Sequence, residues 1–241
     1  MTECAGSVGI STVSDQLAGG GETPAPALQI VRPCSRNEAA PLILGVHYAH
    51  RWSTTKHLYA LVENDKVAGV VSYGPPSSPQ VARSAFRGDK TLVLELNRLV
   101  ITTPTKNAAS MLVGLSLRKL PKPWVCVSYA DGGRGHKGYV YQATNFKYAG
   151  CMKPHDAEYL VEGKRVHPRT LAARGITNPV EWAAQNGIQR VPIEPKHRYI
   201  CWRGVNDSDI LWKFLPYPKG ASERYDAPNA IRADSQRKET R

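Results

Sequence analysis

The sequence predicts a mixed α/β fold, because strand-like and helix-like segments alternate from residue 35 to residue 203. Of its 241 residues, 41% are hydrophobic and 22% are charged, as in an ordinary globular domain. We expect one domain over residues 28–215. Residues 1–27 and 216–241 contain few large apolar side chains, so we expect a flexible arm and a flexible tail there.

The first half of this domain predicts a helix, a β-hairpin and a long strand. Ser35-Arg-Asn-Glu38 is a capping-box pattern that starts a helix. Asn64-Asp65 is a turn-prone pair between two apolar runs, which predicts the hairpin. A continuous apolar run then predicts a buried strand. The predicted strands are residues 57–63, 66–73 and 91–101.

The second half continues the alternation. Residues 106–120 have helical periodicity and end at Pro121, and a strand over 124–130 follows. A glycine-rich basic loop, 131–138, connects this strand to a short helix over 139–146. Residues 158–162 and 197–203 predict further strands, and Asn178-Pro179 predicts the start of a short helix that contains Trp182.

The charge of the chain points to a polyanionic partner. Lysine and arginine number 32 against 20 acidic residues, a net charge of +12 and a pI of about 9.6. Residues 118–174 contain 11 of the basic residues and only 4 of the acidic ones, so a binding surface is expected there. A solvated lysine-rich face would give the same pattern.

Other features limit the location and the chemistry. No apolar run approaches the ~20 residues that a membrane-spanning helix needs, and the N-terminus has no pattern of a secretory signal. We therefore expect a cytoplasmic protein with no membrane partner. The five cysteines are odd in number and form no CxxC pair, so reduced thiols are expected rather than a disulfide framework or a zinc knuckle.

The loop after the strand 124–130 is a candidate functional site. Ligands of open α/β sheets bind beyond the carboxyl ends of strands, which is where Asp131 lies. Arg134, His136 and Lys137 can contact phosphate, and Asp131 can hold an amine or orient a proton carrier. An ordinary surface turn with a capping aspartate remains the alternative.

Two further positions carry chemistry. His47 and His50 would share one face of a helix, but two ligands do not make a metal site, and packing or capping at a helix end is the alternative. Arg98 lies among apolar neighbours and needs a partner. Either Glu95 pairs with it, or it reaches an anionic ligand.

Tyrosines surround the basic loop. Tyr139, Tyr141 and Tyr148 can stack on bases or donate a proton, although packing in the core is the commoner role of a tyrosine.

The order of the predicted elements resembles the Gcn5-related N-acyltransferase fold, a mixed sheet flanked by helices. The segment Tyr141-Gln-Ala-Thr-Asn145-Phe146 is similar to the motif of that fold in which a helical tyrosine precedes a Gly-Phe pair, with Asn145 in place of the glycine. Several motifs more closely resemble the Mom DNA-modification family of Mu-like phages, over roughly residues 30–203. They are Ser128-Tyr-Ala-Asp131, the run Gly135 to Phe146, Asn107-Ala-Ala-Ser110, His167-Pro-Arg-Thr170 and Lys196-His-Arg-Tyr199.

The resemblance implies an enzyme that converts adenine in phage DNA to N6-carbamoylmethyladenine in the host cytoplasm and so protects that DNA from host restriction endonucleases. Double-stranded DNA is then the partner. An enzyme that reaches the exocyclic amine of a paired adenine must flip the base. Arg134, His136 and Lys137 are the candidates for phosphate contacts, and Tyr48 or Tyr139 for stacking.

On this interpretation the catalytic candidates are four residues. Asp131 orients or deprotonates an amine, and Tyr141 protonates the leaving group. His47 and Tyr48 form the substrate end of the pocket. A redox metal at His47 and Tyr48 is a minor alternative, and no metal is expected.

The donor stays open between glycyl-tRNA and acetyl-CoA, with no tightly bound cofactor expected. Acyl-CoA-dependent members of the fold carry a glycine-rich loop before the helix that follows the long strand, whereas residues 102–110 contain no glycine. In carbamoylmethyladenine a methylene is attached to N6, so simple acyl transfer gives the wrong connectivity, and glycyl transfer followed by rearrangement gives the right one. The candidates for substrate and donor binding are Arg98, Lys106, Asn107, Ser110, Tyr139, Asn145 and Tyr148.

Two rival functions stay open. A non-catalytic DNA-binding protein would need a base-reading element, and neither a helix-turn-helix nor a zinc finger is found in the sequence. An acyl-CoA-dependent transferase acting on another substrate is the second rival.

Overall fold

A seven-stranded mixed sheet forms the centre of the computed structural model, which describes residues 29–132, 135–152, 157–193 and 195–218. The strand order is β1-β2-β3-β4-β5-β10-β6, and among these pairs only β4 and β5 are parallel. The strands are β1 (Gln29–Pro33), β2 (His57–Glu63), β3 (Lys66–Gly74), β4 (Val93–Ile101), β5 (Trp124–Asp131), β6 (Lys147–Met152) and β10 (Lys196–Arg203). The predicted mixed sheet flanked by helices is therefore confirmed.

The N-terminal helix forms where the capping box predicts it. Helix α1 (Arg36–Ala40) starts with the Ser35 side chain accepting from the Glu38 backbone N–H and the Glu38 carboxylate accepting from the Ser35 backbone N–H. The helix continues as a π-helical segment, Pro41–Val46. The hairpin of β2 and β3 turns at Asn64 and Asp65, which both have positive φ, as predicted.

Helix α2 (Pro79–Ala85) lies between the hairpin and β4, where the sequence predicts no element. Pro79 occupies the first turn, where its missing N–H costs no hydrogen bond, and the Ser78 side chain caps the helix. Ala82, Ala85 and Phe86 pack on the sheet beside Val93 and Val127.

Helix α3 (Ala108–Lys119) packs on the opposite face of the sheet. Its buried residues belong to a cluster that includes Tyr73 and Phe146. The hydroxyls of Tyr73 and Ser116 lie 2.6 Å apart inside this cluster, so the buried polar atoms are satisfied. Helix α4 (Tyr139–Gln142) lies on the same face and is shorter than the predicted helix 139–146.

A second, three-stranded sheet is inserted between β6 and β10. Its order is β8-β7-β9, with the strands β7 (Ala157–Val161), β8 (Lys164–Val166) and β9 (Gln189–Pro192). Helices α5 (Pro168–Ala173) and α6 (Pro179–Gln185) close a small core around Tyr159 and Leu171. The strand over 158–162 and the helix with Trp182 are confirmed, whereas β6, β8, β9 and α5 are not predicted by the sequence.

Several expectations concern residues outside this description. The arm over residues 1–27, most of the tail and Arg134 lie outside the described residues. In the part of the chain that is described, no helix is long and apolar enough to cross a membrane. The cysteines found there, Cys34, Cys126, Cys151 and Cys201, are free thiols.

Candidate active site

The two parallel strands in the centre of the sheet separate along their length. Both are fully described, and β4 pairs with β5 only over Val93–Glu95 and Val125–Val127, although the strands are nine and eight residues long. Beyond this point the Ser128 hydroxyl still donates to the carbonyl of Leu96 at 3.2 Å. A gap therefore opens between the C-terminal halves of β4 and β5, and polar side chains flank it.

The sheet face that carries α1 and α2 is the polar side of this gap. Ala130 packs with the α3 cluster, so strand alternation places Asp131 on the opposite face, where Val125 and Val127 pack against α2. In β4, Val100 packs against α1. Arg98, two residues earlier, lies on this same face.

Arg98 is held in place by backbone carbonyls. Its Nε donates to the carbonyl of Arg51 at 3.1 Å and its Nη1 to that of Asn97 at 2.5 Å. Partial burial lowers the pKa of the guanidinium, and the nearby Tyr48 and Glu95 oppose this shift. No carboxylate in the described residues lies within ion-pair distance of Arg98. The predicted alternative of a structural ion pair with Glu95 is therefore wrong, and an arginine that lacks a counter-ion at the gap suits an anionic ligand.

Glu95 is a functional candidate that the sequence analysis missed. Its Oε2 accepts a hydrogen bond from the Ser77 backbone N–H at 2.9 Å. Burial raises the pKa of this carboxyl, while Arg98 and Lys196 act in the opposite direction. A partly buried carboxyl with a raised pKa, at the edge of a gap in a sheet, is a candidate proton acceptor. The sequence signal was an acidic residue inside an apolar strand.

Asp131 ends β5, opposite Lys196 of β10. The loop that follows turns tightly, because the backbone N–H of His136 donates to the Asp131 carbonyl at 3.1 Å. Gly132 is required here, since a Cβ atom at this position would lie 2.4 Å from the carbonyl oxygen of Pro195. The structure thus fixes the predicted loop directly beside the carboxyl end of β5.

The loop is fastened to β10 at its other end. The Tyr199 hydroxyl donates to the carbonyl of Lys137, and the Gln142 amide donates to the same carbonyl at 3.1 Å. Gly138 has a φ of 77°, and a Cβ atom there would lie 2.4 Å from the Tyr199 ring. The His136 side chain is exposed and the Lys137 side chain is half-buried.

The predicted tyrosines surround Tyr199. The Tyr141 ring lies 5.3 Å from that of Tyr199 and 5.4 Å from that of Phe146. The Tyr148 hydroxyl lies 2.9 Å from His197 Nδ1, and burial raises the pKa of this tyrosine. Tyr139 is half-buried at the start of α4. These rings belong to the face of the sheet that carries α3 and α4.

His47 and Tyr48 follow the π-helical segment, and their roles differ. His47 is 7% exposed, and its Nδ1 accepts from the Ala49 backbone N–H at 3.0 Å. The Tyr48 ring stacks on the His47 ring at 4.3 Å and is 51% exposed. The helix ends at Val46 and His50 has a φ of 44°, so the expectation that His47 and His50 share a helix face is wrong.

The predicted donor-binding residues lie around α3. Lys106 and Asn107 are exposed in the turn before the helix, and Asn107 has a φ of 65°. The Ser110 hydroxyl donates to the Asn107 carbonyl at 3.0 Å. A cavity of about 740 Å³ brings Ser110 and Asn145 together between α3, the end of α4 and the sheet. Its lining also includes the basic residues Arg118, Lys147 and Arg203.

The described residues do not gather three or more His, Cys, Asp or Glu side chains in a group that could hold a metal ion. The roles predicted for Arg98, Asp131, Tyr141 and the other site residues stay predictions.

The fold and this gap define a mixed α/β protein with a polar site at the separated ends of two central parallel strands. The chain belongs to the Mom protein family, whose model matches residues 29–219. It is 27% identical over 201 residues to the "Methylcarbamoylase mom" of Escherichia phage Mu, which covers 75% of this chain and 80% of that protein. The predicted membership of this family is confirmed.

Solved structures similar to the chain are acetyltransferases. A putative acetyltransferase from Acinetobacter baylyi matches 74% of this chain and 94% of its own length with 11% identity and a TM-score of 0.43. NAA60 from Arabidopsis thaliana, in complex with acetyl-CoA, matches 73% and 98% with 10% identity and a TM-score of 0.42. Because these TM-scores lie below 0.5, the fold assignment rests on the strand order and not on this similarity.

Proposed function

We propose that this protein is a DNA-modifying transferase that converts adenine to N6-carbamoylmethyladenine in phage DNA and so protects it from host restriction endonucleases. Membership of the Mom family and the similarity to the methylcarbamoylase of phage Mu support the reaction class. The observation that carries the proposal is the polar gap between β4 and β5, flanked by Arg98, Glu95 and Asp131. The basic loop at the same end of β5 supplies cations for a polyanionic substrate.

The reaction proceeds by glycyl transfer and rearrangement in this proposal. The adenine N6 attacks the glycyl carbonyl of the donor, a bond from that carbonyl to the donor oxygen or sulfur breaks, and one N6 proton leaves with the donor. The glycyl amine then attacks C6, the bond between C6 and the original N6 breaks, and one proton moves from the amine nitrogen to the departing nitrogen. The original nitrogen becomes the terminal amide, and the product is carbamoylmethyladenine, an isomer of glycyladenine.

The candidate residues on the two faces of the sheet take distinct roles in this sequence of steps. Asp131 orients or deprotonates the attacking amine, and Tyr141 protonates the leaving group. Glu95 is a second proton acceptor, because burial raises its pKa. His47 and Tyr48 form the substrate end, with Tyr48 exposed enough to stack on a base.

The donor binds on the other face of the sheet in this proposal. The turn before α3 presents Lys106, Asn107 and Ser110 without a glycine, and the adjoining cavity carries a cationic lining. Both donors in question, glycyl-tRNA and acetyl-CoA, contain phosphates that such a lining suits. Simple acyl transfer would attach a carbonyl carbon to N6, whereas the product has a methylene there. This difference favours the glycyl donor, whose amine permits the rearrangement.

Isotope labelling tests the rearrangement. Cells that express the protein are grown so that adenine carries heavy nitrogen at N6, and the modified nucleoside is fragmented in a mass spectrometer. We expect the heavy nitrogen in the terminal amide. Heavy nitrogen still bonded to C6 contradicts the rearrangement but not the modification.

A non-catalytic DNA-binding protein is the rival, favoured by the net charge alone. Mass spectrometry of nucleosides from the DNA of expressing cells separates the two. A DNA-binding protein leaves only the four ordinary nucleosides, whereas the transferase leaves a fifth, heavier derivative of deoxyadenosine.

A further inference from the structure

Residues 44–52 form an exposed lip beside the candidate active site. Two large apolar side chains point outward here, Leu44 at 42% and Tyr48 at 51% exposure. They lie four residues apart, at the end of the π-helical segment and just beyond it. A π-helical turn is uncommon and is found frequently at functional sites. This lip is therefore a candidate contact surface.

Hydrogen bonds hold the backbone of the lip in one conformation. The backbone N–H of His47 donates to the carbonyl of Leu42 at 2.9 Å, and that of His50 to the carbonyl of His47 at 2.8 Å. The His50 ring Nδ1 lies 2.9 Å from the carbonyl of Leu44. The exposed side chains are thus presented on a preorganised loop, which reduces the entropy lost when a partner binds.

The lip and the residues that follow it contact β4 where this strand leaves β5. Arg98 donates to the carbonyl of Arg51, and Asn97 donates from Nδ2 to the carbonyl of Thr54 at 3.2 Å. Both bonds run from β4 at the level where it leaves β5. A molecule that rests on the lip therefore lies beside Arg98 and the polar side of the gap.

The charge around the lip is positive. Residues 39–62 contain no aspartate or glutamate. Arg51 is exposed, and the exposed Arg36 lies with its guanidinium 4.4 Å from the centre of the Trp52 ring. The acidic residue just before this stretch, Glu38, is bound by Arg32 at 2.6 Å. Exposed aromatic and apolar side chains among unopposed cations suit a nucleic acid.

We propose that the 44–52 lip is the surface on which double-stranded DNA docks, and that Leu44 fills the space in the duplex left by the extruded adenine while Tyr48 stacks on that adenine. Arg36 and Arg51 contact the flanking phosphates. Apolar wedges of this kind stabilise unstacked steps, and extrusion itself requires a few kcal/mol. This inference rests on the proposed function, and its residues lie outside the basic loop 131–138.

Equilibrium binding of short duplexes tests the lip without any donor. One duplex is fully paired, and the other carries an adenine opposite an abasic site, which is already free to leave the stack. We expect Leu44→Ala to weaken binding to the paired duplex about 10-fold and to the second duplex less than about twofold, because only the first requires the wedge. Leu211→Ala is the matched control, since Leu211 is also 42% exposed and lies after β10.

Arg51→Ala tests the phosphate contact. We expect weaker binding to both duplexes. The slope of log affinity against log salt concentration should become shallower by the contribution of about one phosphate contact. Binding by Leu44→Ala and Arg51→Ala that equals binding by Leu211→Ala overturns the lip, as does an equal loss on both duplexes for Leu44→Ala. The proposed function has a separate test. If the binding results are as expected but cells with the wild-type protein contain no modified nucleoside, the proposed function is contradicted and the docking surface is still supported.

Discussion

The paired and the separated halves of β4 and β5 differ in almost every physical respect. In the paired half Val93, Val125 and Val127 are buried and apolar. In the separated half Arg98 and Asp131 are partly exposed and polar, and so is Glu95, the last paired residue of β4 at the edge of the gap. The same two strands thus contribute stability at one end and chemistry at the other.

Backbone groups hold Arg98 and Glu95, and neither side chain forms an ion pair with another described residue. Arg98 donates to two carbonyls and Glu95 accepts from one backbone N–H. Charges held in this way keep their electrostatic capacity for a ligand, whereas an internal ion pair would cancel it. The site therefore depends on how the two strands separate. We expect the fold to survive the loss of any one of these charged side chains.

The largest expected effect belongs to Asp131 in the separated half. Asp131→Asn should reduce adenine modification by about 10²- to 10⁴-fold, because the side chain can no longer accept a proton. Duplex affinity and the melting temperature should stay at wild-type values. Modification is measured by nucleoside mass spectrometry at matched protein levels, and wild-type modification by the variant would remove Asp131 from the mechanism.

Ile200 tests the paired half. Ile200 is fully buried opposite Val127, so Ile200→Ala should lower the free energy of unfolding by about 2–5 kcal/mol. The modification per folded molecule should change little. Chemical denaturation gives the free energy, and a large loss of activity in a variant that is still folded would break the division between the two halves.

Glu95 links stability to pH in a direction opposite to most carboxylates. Its folded pKa is raised, so the folded state binds the proton more tightly and stability falls as pH rises from the unfolded pKa through the folded one. Glu95→Gln should remove this pH dependence and leave the protein as stable as wild type or more stable at pH 7. Urea unfolding at pH 4 and pH 7 measures the difference, and a variant that is less stable at pH 7 contradicts it.

The smallest expected effect lies outside both halves, at the start of α1. Ser35→Ala should cost about 1 kcal/mol, because it leaves the Glu38 N–H without its capping acceptor. Thermal unfolding measures this cost. Modification should be unaffected, and a strong loss would show that α1 has a part in the site beyond supporting the lip.

Local sequence signals predict the elements whose cause is local. The capping box at Ser35, the turn at Asn64 and the periodicity of α3 each act over a few residues, and each prediction is confirmed. Strand β6 has no such signal, because it forms through pairing with β10, which lies far along the chain, and its existence is a tertiary effect. Strand β8 pairs with the neighbouring β7 but contains only three residues, too few for a sequence pattern.

The site shows the same division. The sequence identified Arg98 as an unusual residue in an apolar strand, and it identified the loop after Asp131 from its glycines. It could not predict that Glu95 and Arg98 stay unpaired, because this depends on the separation of β4 from β5 and on the position of Ser77. The sequence also could not predict the conformation of His50, which has a positive φ and whose ring Nδ1 lies within hydrogen-bond distance of the Leu44 carbonyl.

The most direct test compares nucleosides from the DNA of cells that express the wild-type protein, Asp131→Asn or Ile200→Ala. We expect carbamoylmethylated deoxyadenosine with the wild type, almost none with Asp131→Asn, and an amount that follows the folded fraction with Ile200→Ala. Only the four ordinary nucleosides in wild-type cells that contain the folded protein would contradict the central claim.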